Sequence, residues 1–372
     1  MKTVSRRVMA AVEPIRAGFS SPLPRFAQLL DGTLERMISE LERVRHVSVQ
    51  PAASLRKLHQ DLRPEVPAAL LKAEVHALPL EQRLAESSGL QVIYARAAQI
   101  PWCLQEIGRL RELTFREVGE GTGKATDIDL FDAYYLHLFV WDSKHDRIVG
   151  AYRMGLTDEI LARFGKRGLY THSLFKYGSP LLRHLSPAIE LGRSFVRPEY
   201  QRSFSPLMLL WRGIGRFVAR SPRYALLIGP VSISNDYAPS SRRLMVDFLS
   251  QHNGAGELSR HVKPRRPFRT EAIELPPGAA LLRDIDDVSK AVAQIERDAK
   301  GVPILLKQYL KLGGKLLGFN ADPTFGDALD GLIRVDLRGT ERRLLSHYMG
   351  EEGAATFFAW HGLGPDALAA AA

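Results

Sequence analysis

The stretch "IELGRSFVRP" (Ile189 to Pro198) constrains this chain more than any other. Its apolar residues read as a buried strand, yet Glu190 and Arg193 sit inside it. Charge in a strand interior is costly unless it is paired or used. Residues three apart on a regular strand face opposite sides, so these two would not share an environment. One extra residue at a bulge around Gly192 would bring both to one face and turn a backbone amide outward. The expectation is a ladder broken near Gly192, with Glu190, Arg193 and Arg153 converging beside a tunnel.

The same oddity recurs. Arg111 lies on an amphipathic helix with Phe115 one turn later on the same face. Asp129 and Asp132 punctuate "DLFD", and Arg153 interrupts the strand "GAYRMG". Taken singly, each is a candidate for a structural ion pair. Around them the rhythm is that of an α/β domain. "LQVIYARAA", "YLHLFVWD", "RIVGAYRMGL", "YALLIGPVSIS", "KLLGF" and "LDGLIRVDL" read as strands, with "SKHD" joining the second and third as a hairpin. "CLQEIGRLRELTFREV", "PLMLLWRGIGRFVAR", a segment from about Ser240 to Ser250, and "VPILLKQYLKLG" read as helices. The order implies a mixed sheet rather than strict strand–helix alternation. Residues 1–80 read as a basic helical extension followed by a linker (Pro64 to Glu86), residues 81–350 as the α/β domain and residues 351–372 as a tail; "HVKPRRPFR" reads as a basic loop.

Composition narrows the partners. The chain has 372 residues, a net charge of +10 and one cysteine, Cys103, so neither a disulfide framework nor a cysteine-built zinc site is expected. The positive charge favours an anionic partner. No helix-turn-helix and no interleaving of basic and aromatic residues supports nucleic acid. The histidines are scattered without metal-ligand spacing, so no metal is expected. The apolar run near the N-terminus is broken by Glu13, Pro14 and Arg16, and no window of about 20 apolar residues exists. A cytoplasmic protein is expected, with the arginine-rich N-terminal segment able to lie on the inner face of an anionic membrane. Two motif matches fail on geometry. The H-x4-D pair His137 and Asp142 lies on a strand, where the two point to opposite faces. "GEGTGK" (Gly119 to Lys124) lacks phosphate-loop spacing and reads as a loop.

The set R-x-x-x-F, D-x-x-D, G-x-x-R, E-x-x-R resembles the acyl-homoserine-lactone (autoinducer) synthases in order and approximate spacing. The region from Glu81 to Gly350 resembles more fully the ornithine-lipid type N-acyltransferases, often labelled "hemolysin". It does so through "QIPWCLQEIGRLRELTFREVGEGTGK", "YLHLFVWD", "IVGAYRMG", "ELGRSFVRPEYQRS" and "GPVSIS". The resemblance implies a GNAT (Gcn5-related N-acetyltransferase) fold with a central mixed twisted sheet, a bulged strand and flanking helices. It also implies acyl transfer from a thioester to the amine of an ornithine-like amino acid. Acetyl-CoA-using relatives hold the pyrophosphate with R/Q-x-x-G-x-G/A. Here that place reads "QRSFSP", where the glycines are missing and Pro206 has no N–H to donate. Acyl carrier protein, with a single phosphodiester and an acidic body, is therefore the expected donor, acyl-CoA the alternative, and no cofactor is held permanently. Arg197, Gln201, Arg202, Arg212 and Arg216 are candidates for the carrier contact.

In the resembling enzymes a backbone amide at the bulge receives the oxyanion. By that analogy Gly192 permits the bulge, Glu190 is the base or positions a water that acts as base, and Arg193 or Arg153 holds it ionised. Arg111, Phe115, Asp129, Asp132, Ser232 and Ser234 are candidates for substrate binding, and Tyr237 for the leaving thiol. Phe195, Leu209, Leu226, Ile228 and Val231 are candidate tunnel walls. The alternatives are an autoinducer-type synthase and a non-catalytic carrier- or membrane-binding homologue.

Overall fold

The computed structural model describes residues 59–203, 205–269, 273–275 and 282–364. The expected N-terminal extension and its membrane contact fall almost wholly on residues 1–58, outside the described residues, as does the chain beyond 364.

Ten strands are described: β1 (Arg83–Ser87), β2 (Leu90–Arg96), β3 (Leu136–Asp142), β4 (Arg147–Leu156), β5 (Phe175–Tyr177), β6 (Ile189–Val196), β7 (Leu226–Ile233), β8 (Val262–Pro264), β9 (Lys315–Asp322) and β10 (Ala328–Asp336). Eight form one sheet in the order β1-β2-β3-β4-β6-β7-β10-β9, antiparallel throughout except for β6 beside β7. The mixed sheet expected from the sequence is present. β3 and β4 lie in its middle. Leu138 and Val140 pack into the core on one side of the sheet, and Phe139 and Trp141 into the core on the other. That two-sided burial explains why "LHLFVWD" is nearly continuous in apolar residues rather than alternating. The β3–β4 turn is held by Asp142, whose carboxylate accepts the amides of Lys144 and His145 at 2.9 and 3.2 Å.

One face of the sheet carries α1 (Ala68–Ala77) and α2 (Pro101–Glu117). α2 opens on a proline, whose missing N–H costs nothing there. Glu74 of α1 then accepts the next two amides, Trp102 and Cys103, each at 2.8 Å. The other face carries the helix Ser205–Arg220, called α5, packed on β1 to β4; α3 (Thr157–Phe164) and α4 (Ser179–His184) precede it in the chain and place Ile160 and Leu181 in a separate core cluster with Leu226 and Ile228 of β7. Trp211, Ile214 and Val218 of α5 enter the core. α6 (Pro239–His252), α7 (Ile285–Ile295), α8 (Ile304–Lys311), α9 (Arg342–Met349) and α10 (Glu351–Trp360) complete the described helices.

Three boundaries drawn from the sequence need correction. Residues 64–86 are not simply a linker, because α1 packs on α2 and β1 forms the sheet edge. Residues 351–360 are not tail, because Phe357 and Phe358 of α10 are in the core. The basic loop contains β8, which pairs with β5.

What positions the site is the behaviour of β6. Ala151 of β4 pairs with Phe195 and Arg153 with Gly192, so Arg193 and Ser194 together oppose Tyr152. This is the expected bulge. Its left-handed residue is Arg193 (φ 52°) rather than Gly192, a correction to the expected role of that glycine. On its other edge β6 pairs with β7 only at Ile189–Leu227 and Glu190–Ile228, after which the two strands part. At the parting a Cβ on Gly229 would run into the Leu191 carbonyl, so only glycine lets β7 lie there.

Candidate active site

Between the parted strands lies a cavity of about 240 Å³. Gly192–Val196 of β6 form one wall and Pro230–Ser232 of β7 another. Because β6 leaves β7 after Glu190, the bulge residues have no ladder partner in β7 and line this space instead. A Cβ at Gly192 would meet nothing within 4 Å, so its missing side chain keeps the wall open. Phe115 of α2, Tyr152 of β4, and Leu305 and Tyr309 of α8 supply apolar and aromatic lining, while Gln201 lies at the edge toward α5. Arg193 is the one cation among the described lining residues.

Behind the wall three arginines meet three aspartates. Arg111 forks onto Asp132 through two bonds of 3.0 and 2.9 Å, and also donates to the Asp127 carbonyl. Arg153 reaches Asp129 at 2.5 Å and Asp132 at 3.3 Å. Arg193 reaches Asp127 at 3.2 Å and Asp129 at 3.6 Å. Burial alone would raise the Asp132 carboxyl, but Arg111 and Arg153 outweigh it and hold the group well below the usual range. Burial works against the charge on Arg153 and Arg193 too, and their carboxylate neighbours (Asp132 and Asp129 for the first, Asp127 for the second) keep both firmly protonated. Asp129 and Asp132 also close the short turn Leu130–Ala133, Asp129 accepting from Phe131 N and Asp132 from Asp129 N. This network fixes the bulge: Arg193 adopts a left-handed backbone that a bulky residue avoids, and its guanidinium is held from three sides.

Glu190 stands apart. Its carboxylate accepts from the Tyr135 hydroxyl, the Tyr170 amide (3.0 Å), the Thr171 amide (2.7 Å) and the Thr171 hydroxyl. It is 2% exposed and does not line the cavity. Glu190 and Arg193 do share one face, as the bulge requires, with Tyr170 between them: Arg193 donates to the Tyr170 hydroxyl at 3.1 Å. The Tyr170 ring lies 5.0 Å from the Arg153 guanidinium and 4.8 Å from that of Arg193. Glu190 thus anchors the turn Tyr170–Ser173 against the network, and the expected convergence with Arg153 and Arg193 runs through this tyrosine rather than through direct ion pairs. Enclosed by these four donors and set back from the cavity lining, Glu190 is placed to anchor that turn rather than to reach a substrate amine in the cavity.

The carboxyl groups that do face the cavity are Asp330 of β10 and Glu120, which follows α2. Asp330 is buried, accepts the Ser232 hydroxyl at 2.8 Å and has Asp322 nearby. Burial, then Asp322, raises it to about 7. Burial, then Asp330, raises Glu120 to about 8. Glu120 begins the "GEGTGK" loop, whose amides are already occupied. Glu112 of α2 accepts Thr122 N and Gly123 N at 3.1 and 2.8 Å, so the loop wraps a carboxylate of its own chain and offers no phosphate cradle.

Of the residues singled out from the sequence, Arg193, Gly192, Phe115, Ser232 and Gln201 line the cavity, as do the tunnel candidates Phe195 and Val231. Arg111, Arg153, Asp129 and Asp132 lie behind it in the ion network. Ser234 donates to the Val118 carbonyl and Tyr237 to that of Gly301, and neither side chain lines the cavity. Leu209, Leu226 and Ile228 are plain core. Arg197 is buried against Glu65 and Glu199, while Arg202 and Arg216 are exposed and Arg212 half-buried. Asp330, Glu120, Leu305 and Tyr309 were missed. Asp330 had a signal, a carboxylate inside the apolar run "ALDGLIRVD", the same kind that marked Glu190.

No helix among the described residues is long and apolar enough to cross a membrane, and none of their His, Cys, Asp and Glu side chains cluster as a metal site. Residues 110–212 match the acetyltransferase (GNAT) domain. A glycine N(alpha)-acyltransferase of Bacteroides thetaiotaomicron is 31% identical over 72% of this chain and 83% of its own length. An L-ornithine N(alpha)-acyltransferase of Brucella abortus is 30% identical over 74% of this chain and 97% of its own. A CoA-dependent acyl-homoserine lactone synthase, BjaI, is a distant likeness at 13% identity and a TM-score of 0.36, over 72% of this chain and 99% of that one. With the GNAT domain spanning the bulged strand and both relatives matched over most of their length, the chain belongs to the N(alpha)-acyltransferases of GNAT type.

Proposed function

We propose that the protein moves a fatty acyl group from the thioester of acyl carrier protein to the α-amine of a small amino acid of the ornithine or glycine kind, giving the precursor of an acyl-amino-acid lipid. The observation that carries the reading is the cavity at the β6–β7 parting. It sets backbone amides of the bulge on one wall against the carboxyl groups of Asp330 and Glu120 on another. The amides suit the oxygen that becomes negative when an amine attacks a thioester. Carboxyl groups suit an ammonium ion that must be held and then deprotonated. Phe115, Tyr152, Leu305 and Tyr309 offer an apolar surface to the acyl chain.

The donor enters past Gln201 and the start of α5, where Pro206 removes one of the amides that a pyrophosphate would use. A single phosphodiester asks less of that helix end, and the net charge of +10 attracts an acidic carrier. The test is reconstitution with palmitoyl-acyl carrier protein or palmitoyl-CoA, and with ornithine or glycine, followed by mass spectrometry. N-palmitoyl amino acid should form fastest from the carrier protein. Absence of amide from every pair refutes the acyl-transfer reading, and a faster reaction from CoA refutes the choice of donor.

A further inference from the structure

We infer that Asp330, paired with Glu120 across the cavity, is the group that takes the proton from the attacking amine. The inference rests on the acyl-transfer reading above and deepens it. Among the carboxylates near the bulge four are spent, the first being Asp127, held by Arg193 at 3.2 Å and Arg111 at 3.7 Å. Glu190 is closed off by four donors. Asp132 is forked by Arg111 and touched by Arg153. Asp129 is bound by Arg153 and Arg193. A carboxylate so bound is a weak base, because taking a proton means giving up its cation.

Asp330 is different in kind. It sits in the interior of β10, 4% exposed, with only the Ser232 hydroxyl donating to it among the described side chains, and it lines the cavity. The groups facing it are Ser232 of β7, Asn320 and Asp322 of β9, Glu120 after α2, Arg193 of β6 and Tyr170 before β5. Asp236, after β7, adds negative charge on the Glu120 side. Arg193, the one cation in this set, is turned toward Asp127 and Asp129. Asp330 and Glu120 therefore face the cavity with no cation of this set turned toward them, and burial keeps a proton on each up to about neutral pH. An ammonium ion entering the cavity supplies the missing cation.

The step then balances. The amine nitrogen bonds to the thioester carbon as one ammonium proton passes to Asp330. The C–S bond breaks, the leaving sulfur takes the second proton lost by nitrogen, and the amide, the thiol and the proton later shed by Asp330 are the products. Asp322 tunes the base: its negative charge makes Asp330 a stronger one.

The experiment is steady-state thiol release by the full chain across pH 5 to 9, using palmitoyl-acyl carrier protein or palmitoyl-CoA with ornithine or glycine. Asp330→Asn should lower kcat by about 10²–10⁴-fold, the usual contribution of a positioned base. Asp330→Glu should recover part of the rate with a displaced acid limb. Asp322→Asn should move the acid limb of kcat/KM to lower pH, since removing a like charge lets Asp330 ionise more easily. Asp330→Asn retaining more than about a tenth of kcat overturns the inference, at a threshold set by that same contribution. So does an acid limb unmoved in both Asp330→Glu and Asp322→Asn, and these two variants decide the matter if Asp330→Asn does not fold. Turnover by the wild-type chain with a full-rate Asp330→Asn sinks the base assignment alone, whereas no thiol release from any wild-type pair sinks the acyl-transfer reading and this inference with it.

Discussion

Replacing Glu190 by alanine should unfold the region around Tyr170 before it tells anything about chemistry. The carboxylate serves four donors, and their fates differ. The hydroxyls of Tyr135 and Thr171 can rotate, and Tyr135 already lies 3.4 Å from the Gly168 carbonyl. The amides of Tyr170 and Thr171 cannot turn. The Tyr170 amide keeps the Tyr135 hydroxyl as a second acceptor at 2.9 Å, whereas that of Thr171 is left with none. A buried donor left without an acceptor costs about 1–3 kcal/mol, so Glu190→Ala should lose about that much. That is a sizeable share of a typical folding free energy of about 5–15 kcal/mol. Glu190→Gln keeps one oxygen for the Thr171 amide, and its loss should be smaller, about 1 kcal/mol or less. Urea unfolding followed by the fluorescence of the buried Trp141 and Trp211 measures both. Turnover should then be expressed per folded molecule. If Glu190→Ala unfolds at the wild-type urea concentration and yet has no turnover, the anchoring argument is wrong and Glu190 acts in the chemistry.

Three further outcomes follow from the geometry. Gly229→Ala should destabilise by about 1–3 kcal/mol and depress turnover, because its Cβ must push the Leu191 carbonyl away; an unchanged urea midpoint would contradict this. Gly192→Ala should leave stability within about 0.5 kcal/mol, since its Cβ meets nothing, but should raise KM by narrowing the cavity; unaltered kinetics would show that this wall is not used. Asp330 has a folded pKa raised from 3.8 to about 7, so the folded state binds more protons between those values and stability falls as pH rises through that window. Asp330→Asn should therefore gain up to about 4 kcal/mol on the wild type at pH 8 and little at pH 4, and a stability difference flat in pH would refute the burial argument.

The bulge was legible because strand geometry is periodic: two charges three apart in a buried strand demand either an extra residue or opposite environments. The ion network was legible as a set for a related reason. Arg111, Arg153, Asp129 and Asp132 each interrupt an apolar element, and buried charge needs a partner. What could not be read was which charge pairs with which. Glu190 found its donors in Tyr135 and the Tyr170–Ser173 turn, segments whose sequence carries no mark of it. Asp330 showed the same local signal and was passed over, because nothing in "ALDGLIRVD" says whether the carboxylate will be covered by donors or left facing a cavity. The boundaries failed for a similar reason. α10 reads as a tail because its alanines and phenylalanines lack strong periodicity, and only its packing brings Phe357 and Phe358 into the core.

The sequence by itself determined the class of fold, the strand that must bulge and the residues that must be buried as ions, since each follows from the period of a strand or the cost of desolvating charge. The tertiary structure decided which carboxylate is anchored and which is exposed to the cavity. It alone brings β10, the loop after α2 and α8 around the parting of β6 and β7. Proton affinity depends on what surrounds a group in space, and those surroundings come from segments more than a hundred residues apart in the chain.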